Sequence, residues 1–223
     1  MKSVLIIGLG TFGRHLCREL TSLGNQVMVI DKNENNISDL INEVTTAKVG
    51  DCTNEVVLKS LGIANFDVCF VCIGTSFQDS LEITYALKEL GAKWVVSKAD
   101  REVHAKFLLR NGADEIIYPE KDIAERVAKK FSVKHAVDYI DIPGNLCIYE
   151  HEVPSSWVGR DISDINARAV YNINVLAVRK PDKTDFLLTA DYVFKEEDNL
   201  ITLGDEELMN KLLKNDFARP REK

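Results

Sequence analysis

Three glycines near the N-terminus are the first residues whose spacing points to chemistry. They stand as Gly8-Leu-Gly10-Thr-Phe-Gly13, after the apolar run Val4-Leu-Ile-Ile7 and ahead of apolar residues at helical spacing. In a strand–turn–helix setting each has a task. Gly8 permits a tight turn, Gly10 lets the backbone approach phosphate oxygens, and Gly13 lets the helix pack closely on the strand. A helix N-terminus at this point, reached through Thr11 and Phe12, offers free amide hydrogens and a positive dipole end to an anion. Asp31 follows the second apolar run, 18 residues after Gly13. A carboxylate there accepts hydrogen bonds from both ribose hydroxyls and repels a 2′-phosphate, which disfavours NADP. Lys32, the next residue, is a cation at the same rim and weakens that exclusion.

Further residues fall at the ends of later strands, where ligands bind in open α/β sheets. Gly50-Asp51-Cys52-Thr53 follows the third strand. Asp51 is placed to accept from an adenine amino group or to cap the helix that follows, and Thr53 is the better-placed cap. Ile73-Gly74-Thr75 ends the fourth strand and walls the same crevice. Lys98 ends the fifth and either reaches a phosphate or is simply solvated. Cys69 and Cys72 form a CxxC, but within an apolar strand they point to opposite faces and share neither a metal nor a disulfide. The five cysteines read as small core residues. The four histidines, His15, His104, His135 and His151, form no HExxH and no adjacent acid–base constellation, and read as surface or core residues.

The elements that must hold these groups alternate. Strands are predicted near 4–7, 26–30, 46–49, 68–73, 94–97 and 115–118. Between them lie helices over Phe12–Leu23, Asn33–Glu43, Asn54–Leu61, Gln78–Leu90 and Glu102–Arg110, with a last helix over Glu120–Phe131. The Asn33–Glu43 helix is placed on Ile37, Leu40, Ile41 and Val44. Alternation of this kind implies crossovers and a parallel sheet, an α/β, Rossmann-like, doubly wound domain. From about Tyr139 the pattern changes to a small α+β domain. Its strands are at Cys147–Val153, Ile173–Arg179 and Asn199–Leu203, with helices at Ser163–Ala169 and Asp205–Leu213. The boundary falls between Phe131 and Asp138, giving domains 1–135 and 136–223, and Arg219–Lys223 is expected to fray.

Composition narrows the function classes. The chain has 223 residues, 28 basic and 35 acidic, for a formal charge of −7. An acidic balance argues against a nucleic-acid partner. Hydrophobic residues at 45% and charged residues at 28% are those of a globular domain. The longest uncharged apolar stretches, Val4–Phe12 and Val68–Phe77, are far short of the roughly 20 residues that span a bilayer. With no signal-peptide pattern, the expected location is cytoplasmic.

Taken together, several segments resemble a known family. They are the GLGTFG loop, Asp31, Val-Gly-Asp-Cys-Thr at 49–53, Ser-Lys-Ala-Asp at 97–100, and Asn-Gly-Ala-Asp-Glu-Ile-Ile-Tyr-Pro-Glu-Lys at 111–121. They are similar to the TrkA/KtrA family, the RCK (regulator of K⁺ conductance) subunits of bacterial potassium transporters. Ile162-Ser-Asp-Ile-Asn-Ala-Arg-Ala-Val-Tyr at 162–171 and the strand Val175–Arg179 extend the resemblance into the second domain. The resemblance implies a regulatory subunit and no enzyme. It implies homodimers assembled into an octameric ring beneath a membrane K⁺ channel or transporter subunit. Gly8, Gly10, Gly13, Asp31, Asp51, Cys52 and Lys98 match the family's contacts to an adenine nucleotide (ATP, ADP, AMP or NAD(H)). Glu120 matches a glutamate that helps hold a divalent cation, Mg²⁺ or Ca²⁺, near the phosphates at a subunit interface. Its plain reading is a first-turn acid complementing the helix dipole. Several KtrA-type members carry Arg where this chain has Thr11, so selectivity for ATP is not implied, and Arg14, one turn deeper, is a substitute. In some relatives the second domain binds cyclic di-AMP, and Ile162, Ile165, Arg168 and Asn174 lie in the matching region.

Two other classes fit parts of the chain. A small NAD-dependent oxidoreductase uses the same loop and Asp31, but the second half supplies no acid or base for it. A redox or metal module on Cys69 and Cys72 is opposed by strand geometry.

Overall fold

The computed structural model describes residues 1–74, 76–132 and 136–216. Thr75, His135, part of the expected domain boundary and the tail Arg219–Lys223 lie outside the described residues. The chain divides into two compact units, Met1–Glu120 and Lys121–Lys223.

The first unit alternates as the apolar runs require: β1 (Ser3–Ile7), α1 (Thr11–Ser22), β2 (Gln26–Asp31), β3 (Thr46–Val49), α2 (Glu55–Ser60), β4 (Val68–Val71), α3 (Phe77–Glu89), β5 (Val95–Lys98), α4 (Glu102–Arg110) and β6 (Glu115–Ile117). The strands are all parallel and lie in the order β3-β2-β1-β4-β5-β6. From Val4 to Ile7 β1 is apolar and buried because both of its faces are covered. Leu5 and Ile7 join one core cluster with Cys69, Val71 and Ile83. Val4 and Ile6 join another with Cys17, Val29 and Leu40. Cys69 and Cys72 fall in different clusters, as their spacing predicts, and all five cysteines are free and buried.

The expected helix at Asn33–Glu43 is not an α-helix. Two 3₁₀ turns, Glu34–Asn36 and Ser38–Leu40, take its place. Side chains from Asn33 and Arg14 offer the backbone competing partners here. The Asn33 side chain accepts from Asn35 N at 3.0 Å, and Arg14 Nη1 takes the Asn36 carbonyl at 2.9 Å.

The second unit contains nearly all of α5 (Pro119–Ser132), then β7 (Ala136–Ile142), β8 (Leu146–Glu152), α6 (Ile162–Ile165), α7 (Ala167–Tyr171), β9 (Ile173–Arg179), β10 (Thr184–Asp185), β11 (Asn199–Asp205) and α8 (Glu206–Asp216). Its antiparallel sheet runs β10-β9-β11-β8-β7 around Tyr139, Tyr149, Trp157, Phe194 and Met209. Strands β7 and β10 were not expected. Asp138 and Asp141 break the apolar run of β7, and β10 has only two residues. The single helix expected over Ser163–Ala169 is two, divided at Asn166, which adopts the left-handed conformation with φ 46°. Among the described residues no helix is long and apolar enough to cross a membrane.

Candidate functional site

The strand order reverses between β1 and β4, and a crevice opens there beyond the carboxyl ends of the strands. It encloses about 290 Å³ and is lined by Gly8, Gly10, Asp31, Lys32, Asp51, Cys52, Ile73 and Gly74, together with Asn33, Asn36 and Asp79. Eight of the residues expected from sequence therefore meet at one cavity.

The glycine loop has the shape its spacing demands. Gly8 turns at φ +93°, and its amide donates to the Ile30 carbonyl at 2.9 Å. A Cβ on Gly13 would stand 2.1 Å from the Gly8 carbonyl oxygen, so helix and turn touch backbone to backbone. A Cβ on Gly10 would meet nothing within 4 Å, leaving open space at the start of α1. That helix has no side-chain cap and no acid in its first turn, so none of its own side chains satisfies its leading amides. Thr11 and Phe12 do not line the cavity. Thr11 is exposed, and Phe12 packs against the Leu9 and Cys17 cluster.

Asp31 is already busy. Oδ2 accepts from Leu9 N at 2.7 Å and Asn36 Nδ2 at 3.2 Å, and Oδ1 accepts from Asn33 N at 2.8 Å. A carboxylate has about four acceptor sites, so one remains for a ribose hydroxyl. The carboxylate also ties the glycine loop to β2. Lys32 reaches over to Asp79 at 3.3 Å. Arg14 does not substitute for an arginine at position 11, because its guanidinium pairs with Asp39 and the Asn36 carbonyl.

Asp51 Oδ1 accepts from Thr53 N at 3.0 Å and from Thr53 Oγ1 at 2.8 Å. These bonds, the backbone one foremost, hold its carboxyl below the usual range. Neither Asp51 nor Thr53 caps α2. Asn54 does, accepting from Val56 N at 3.0 Å. Burial pushes the Cys52 thiol up to about 12, which leaves it neutral and unreactive beside the cavity.

Lys98 stands beside Gly74, with Nζ 3.4 Å from where a Cβ on that glycine would lie. It pairs with Glu120 at 2.6 Å, which holds the glutamate below its ordinary value. Among the described residues no three His, Cys, Asp or Glu side chains gather where a metal could bind. Glu120 alone, already neutralised by Lys98, does not make a metal centre within one chain.

In the second unit Arg168 Nε donates to Asn174 Oδ1 at 2.6 Å, Ile165 is buried in the core, and Ile162 packs against it.

Two features escaped the sequence. Asp79 lies three residues after Ser76, the cap of α3, a spacing that marks the first turn of the helix after β4. His104 is not isolated. Nε2 lies 2.7 Å from Ser80 Oγ, and Nδ1 lies 2.8 Å from Asp100 Oδ1. Neighbours in sequence do not reveal the contact to Ser80, which comes from α3, 24 residues before His104.

Comparison with known proteins agrees with both units. The TrkA-N domain family matches residues 4–119 and the TrkA-C domain family residues 148–215. Ktr system potassium uptake protein C of Bacillus subtilis (strain 168) is 36% identical over 203 residues, 91% of this chain and 92% of the relative. Ktr system potassium uptake protein A of the same organism is 34% identical over 203 residues, 91% of each chain. Among solved structures, the GsuK channel bound to NAD shares the fold with a TM-score of 0.66 at 20% identity. All of this chain is covered, and it spans 40% of that channel chain. Matched in both units and at more than 30% identity over nine-tenths of its length, the chain belongs to the TrkA-N/TrkA-C family, the family of the Ktr potassium uptake proteins.

Proposed function

We propose that this protein is the cytosolic regulatory subunit of a K⁺ uptake system, a nucleotide sensor that gates a membrane channel or transporter subunit. The observation that carries the reading is the crevice at the reversal of strand order. It joins an uncapped helix N-terminus, open space over Gly10 and the Asp31 carboxylate in a chain related throughout to Ktr proteins. An adenine nucleotide suits it: phosphate at Gly10 and the first turn of α1, ribose at Asp31, and base toward Asp51 and Cys52. Residues 1–135 form the sensing domain and 136–223 the second regulatory domain. Lys98 serves the terminal phosphate, exchanging its bond with Glu120 for one with the nucleotide. A divalent cation at Glu120, Mg²⁺ or Ca²⁺, then draws its other ligands from phosphate oxygens and a neighbouring subunit. The Arg168 and Asn174 region is the place for cyclic di-AMP.

The reading is of a non-enzyme. A ligand shifts a regulator only through unequal affinity for its two states, and a di- or triphosphate end beside Lys98 supplies that inequality. Assembly into homodimers and an octameric ring is supported by apolar residues left in solvent. Ile123, Val127 and Phe131 repeat every four residues on α5, and Val103 and Phe107 do so on α4. Such stripes call for a partner surface.

Calorimetry with ATP, ADP, AMP, NADH and cyclic di-AMP, with and without Mg²⁺, tests the reading. Binding that distinguishes ATP from ADP supports it. Failure of every adenine nucleotide to bind removes it, and NADH oxidation with a small substrate would replace it by an oxidoreductase.

A further inference from the structure

The crevice carries four charged side chains: Asp31, Asp51 and Asp79 against the single ammonium of Lys32. Lys32 directly follows the residue assigned to the ribose. A cation in that neighbourhood is what dinucleotide sites use to accept a 2′-phosphate. Asp31 next to Lys32 is thus an ambiguous pair, in which the carboxylate rejects the extra phosphate and the ammonium invites it.

The geometry resolves the ambiguity. Lys32 Nζ lies 3.3 Å from Asp79 Oδ2. Lys32 comes from the end of β2 and Asp79 from the first turn of α3, which follows β4, while β1 and its glycine loop lie between those strands. The ion pair therefore crosses the crevice from one wall to the other. Asp79 has no competing duty in capping α3, because Ser76 Oγ serves that turn by accepting from Asp79 N at 3.2 Å. Its side chain is also the less exposed of the two, 25% against 66% for Lys32, so the carboxylate is the fixed partner and the lysine the one held.

We propose that Asp79 is a specificity-determining residue that keeps 2′-phosphorylated nucleotides out of this crevice by holding Lys32 in an ion pair across it. The inference rests on the crevice being the adenine-nucleotide site. With Asp79 present, a 2′-phosphate meets Asp31 and a lysine whose charge is already matched. With Asp79 uncharged, Lys32 is free to turn to the phosphate. A charge-assisted bond from an exposed lysine, screened by solvent, amounts to about a tenfold change in affinity.

The test compares 5′-AMP with adenosine 2′,5′-bisphosphate by calorimetry at low salt, on the full chain. The parent protein is expected to prefer AMP. Asp79→Asn, which keeps the side-chain shape, is expected to narrow that preference about tenfold. Asp79→Asn combined with Lys32→Met is expected to restore it. Lys32→Met alone leaves the Asp79 carboxylate unmatched in the crevice and is expected to keep or widen the preference for AMP. An unchanged ratio in Asp79→Asn overturns the proposal, as does a gain that survives in the double variant. A Lys32→Met protein that gains the bisphosphate relative to AMP also overturns it, because the unmatched Asp79 carboxylate should repel the phosphate. Absence of AMP binding to the parent overturns the nucleotide-site reading itself, and this inference with it.

Discussion

Two glycine-to-alanine changes, three residues apart, should separate binding from folding. At Gly10 the backbone sits at φ −62°, ψ −177°, a conformation alanine adopts freely, and the added methyl meets nothing within 4 Å. Alanine restricts the unfolded chain, which contributes about 0.4–1 kcal/mol of stability. As an N-cap it is worse than glycine by a similar amount. The two nearly cancel, and at about 2–4 °C per kcal/mol the melting temperature moves by no more than about 2 °C. Nucleotide affinity should nevertheless fall, because the methyl occupies the space through which a phosphate reaches the first amides of α1. Loss of one hydrogen bond to a charged oxygen is about 1.5–3 kcal/mol, or about 10–100-fold. Gly13→Ala behaves differently. Its Cβ would lie 2.1 Å from the Gly8 carbonyl oxygen, so α1 and the turn must move apart. Overpacking of this kind costs about 1–3 kcal/mol, which lowers the melting temperature by about 2–12 °C and weakens binding as well. Thermal melts with and without AMP, beside calorimetry, read both quantities. A Gly10→Ala protein that binds AMP as the parent does would refute the placement of the phosphate. A Gly13→Ala protein that melts like the parent would refute the backbone contact.

Other outcomes follow from the same geometry. Asp31→Asn replaces an acceptor that holds Leu9 N at 2.7 Å and Asn33 N at 2.8 Å, so it should cost about 1–3 kcal/mol of stability as well as weaken nucleotide binding. A melt showing no loss would mean that the loop does not depend on that carboxylate. His151 is buried, with its ring nitrogens 2.7 Å from the Glu152 carbonyl oxygen and 3.0 Å from Thr202 Oγ1, and burial brings its pKa down to about 4. The unfolded chain takes up that proton near pH 6.5, so between there and about pH 4 it holds more protons than the folded one. Stability present above pH 6.5 is then lost as pH falls through this window, by about 3 kcal/mol in all. Urea unfolding at a series of pH values should show the slope and lose most of it in His151→Gln; equal slopes would count against a buried neutral ring. Thr11→Arg should raise affinity for ATP relative to ADP, since Arg14 is committed to Asp39 and Asn36 and leaves the phosphate end short of a guanidinium. Calorimetry with both nucleotides decides it, an unchanged ratio going against the argument.

The parts of the fold that were legible are those set by local pattern alone. Helix α4, with Glu102 at its start and Asn111-Gly112 after its end, and strand β9 at Ile173–Arg179 fall where their residues predict. The Asn33–Glu43 segment shows where such a pattern stops short. Ile37 and Leu40 are buried as helical spacing implies, yet Ile41 is exposed and the backbone is 3₁₀. Periodicity reported which side chains face inward, but it carried no information about Arg14 claiming a carbonyl from 22 residues away. The crevice divides in the same way. Gly8, Gly10, Asp31 and Asp51 were readable because each follows a strand in sequence. The partners of Lys32 and Lys98 were not, because they arrive from elsewhere in the chain, Asp79 from 47 residues beyond Lys32 and Glu120 from 22 beyond Lys98.

Ser80, His104 and Asp100 show why a constellation must be read together with its surroundings. Serine, histidine and aspartate stand at 2.7 Å and 2.8 Å, the order and spacing of a nucleophilic triad. Yet Ser80 has 0% exposure and His104 1%, so no substrate carbonyl reaches the hydroxyl. The serine proton is also directed elsewhere. Ser80 Oγ donates to the Phe77 carbonyl at 2.9 Å, and a hydroxyl has only one hydrogen to give. What the network does accomplish is attachment. It fastens the first turns of α3 to α4, with the Phe77 ring 4.8 Å from the His104 ring and 5.9 Å from that of Phe107. Asp79 immediately precedes Ser80 on that same turn, so the wall of the crevice that holds Lys32 is anchored from behind by a buried polar cluster. Such a cluster fixes the position of a charged wall, and the α4 to which it is fastened leaves Val103 and Phe107 in solvent.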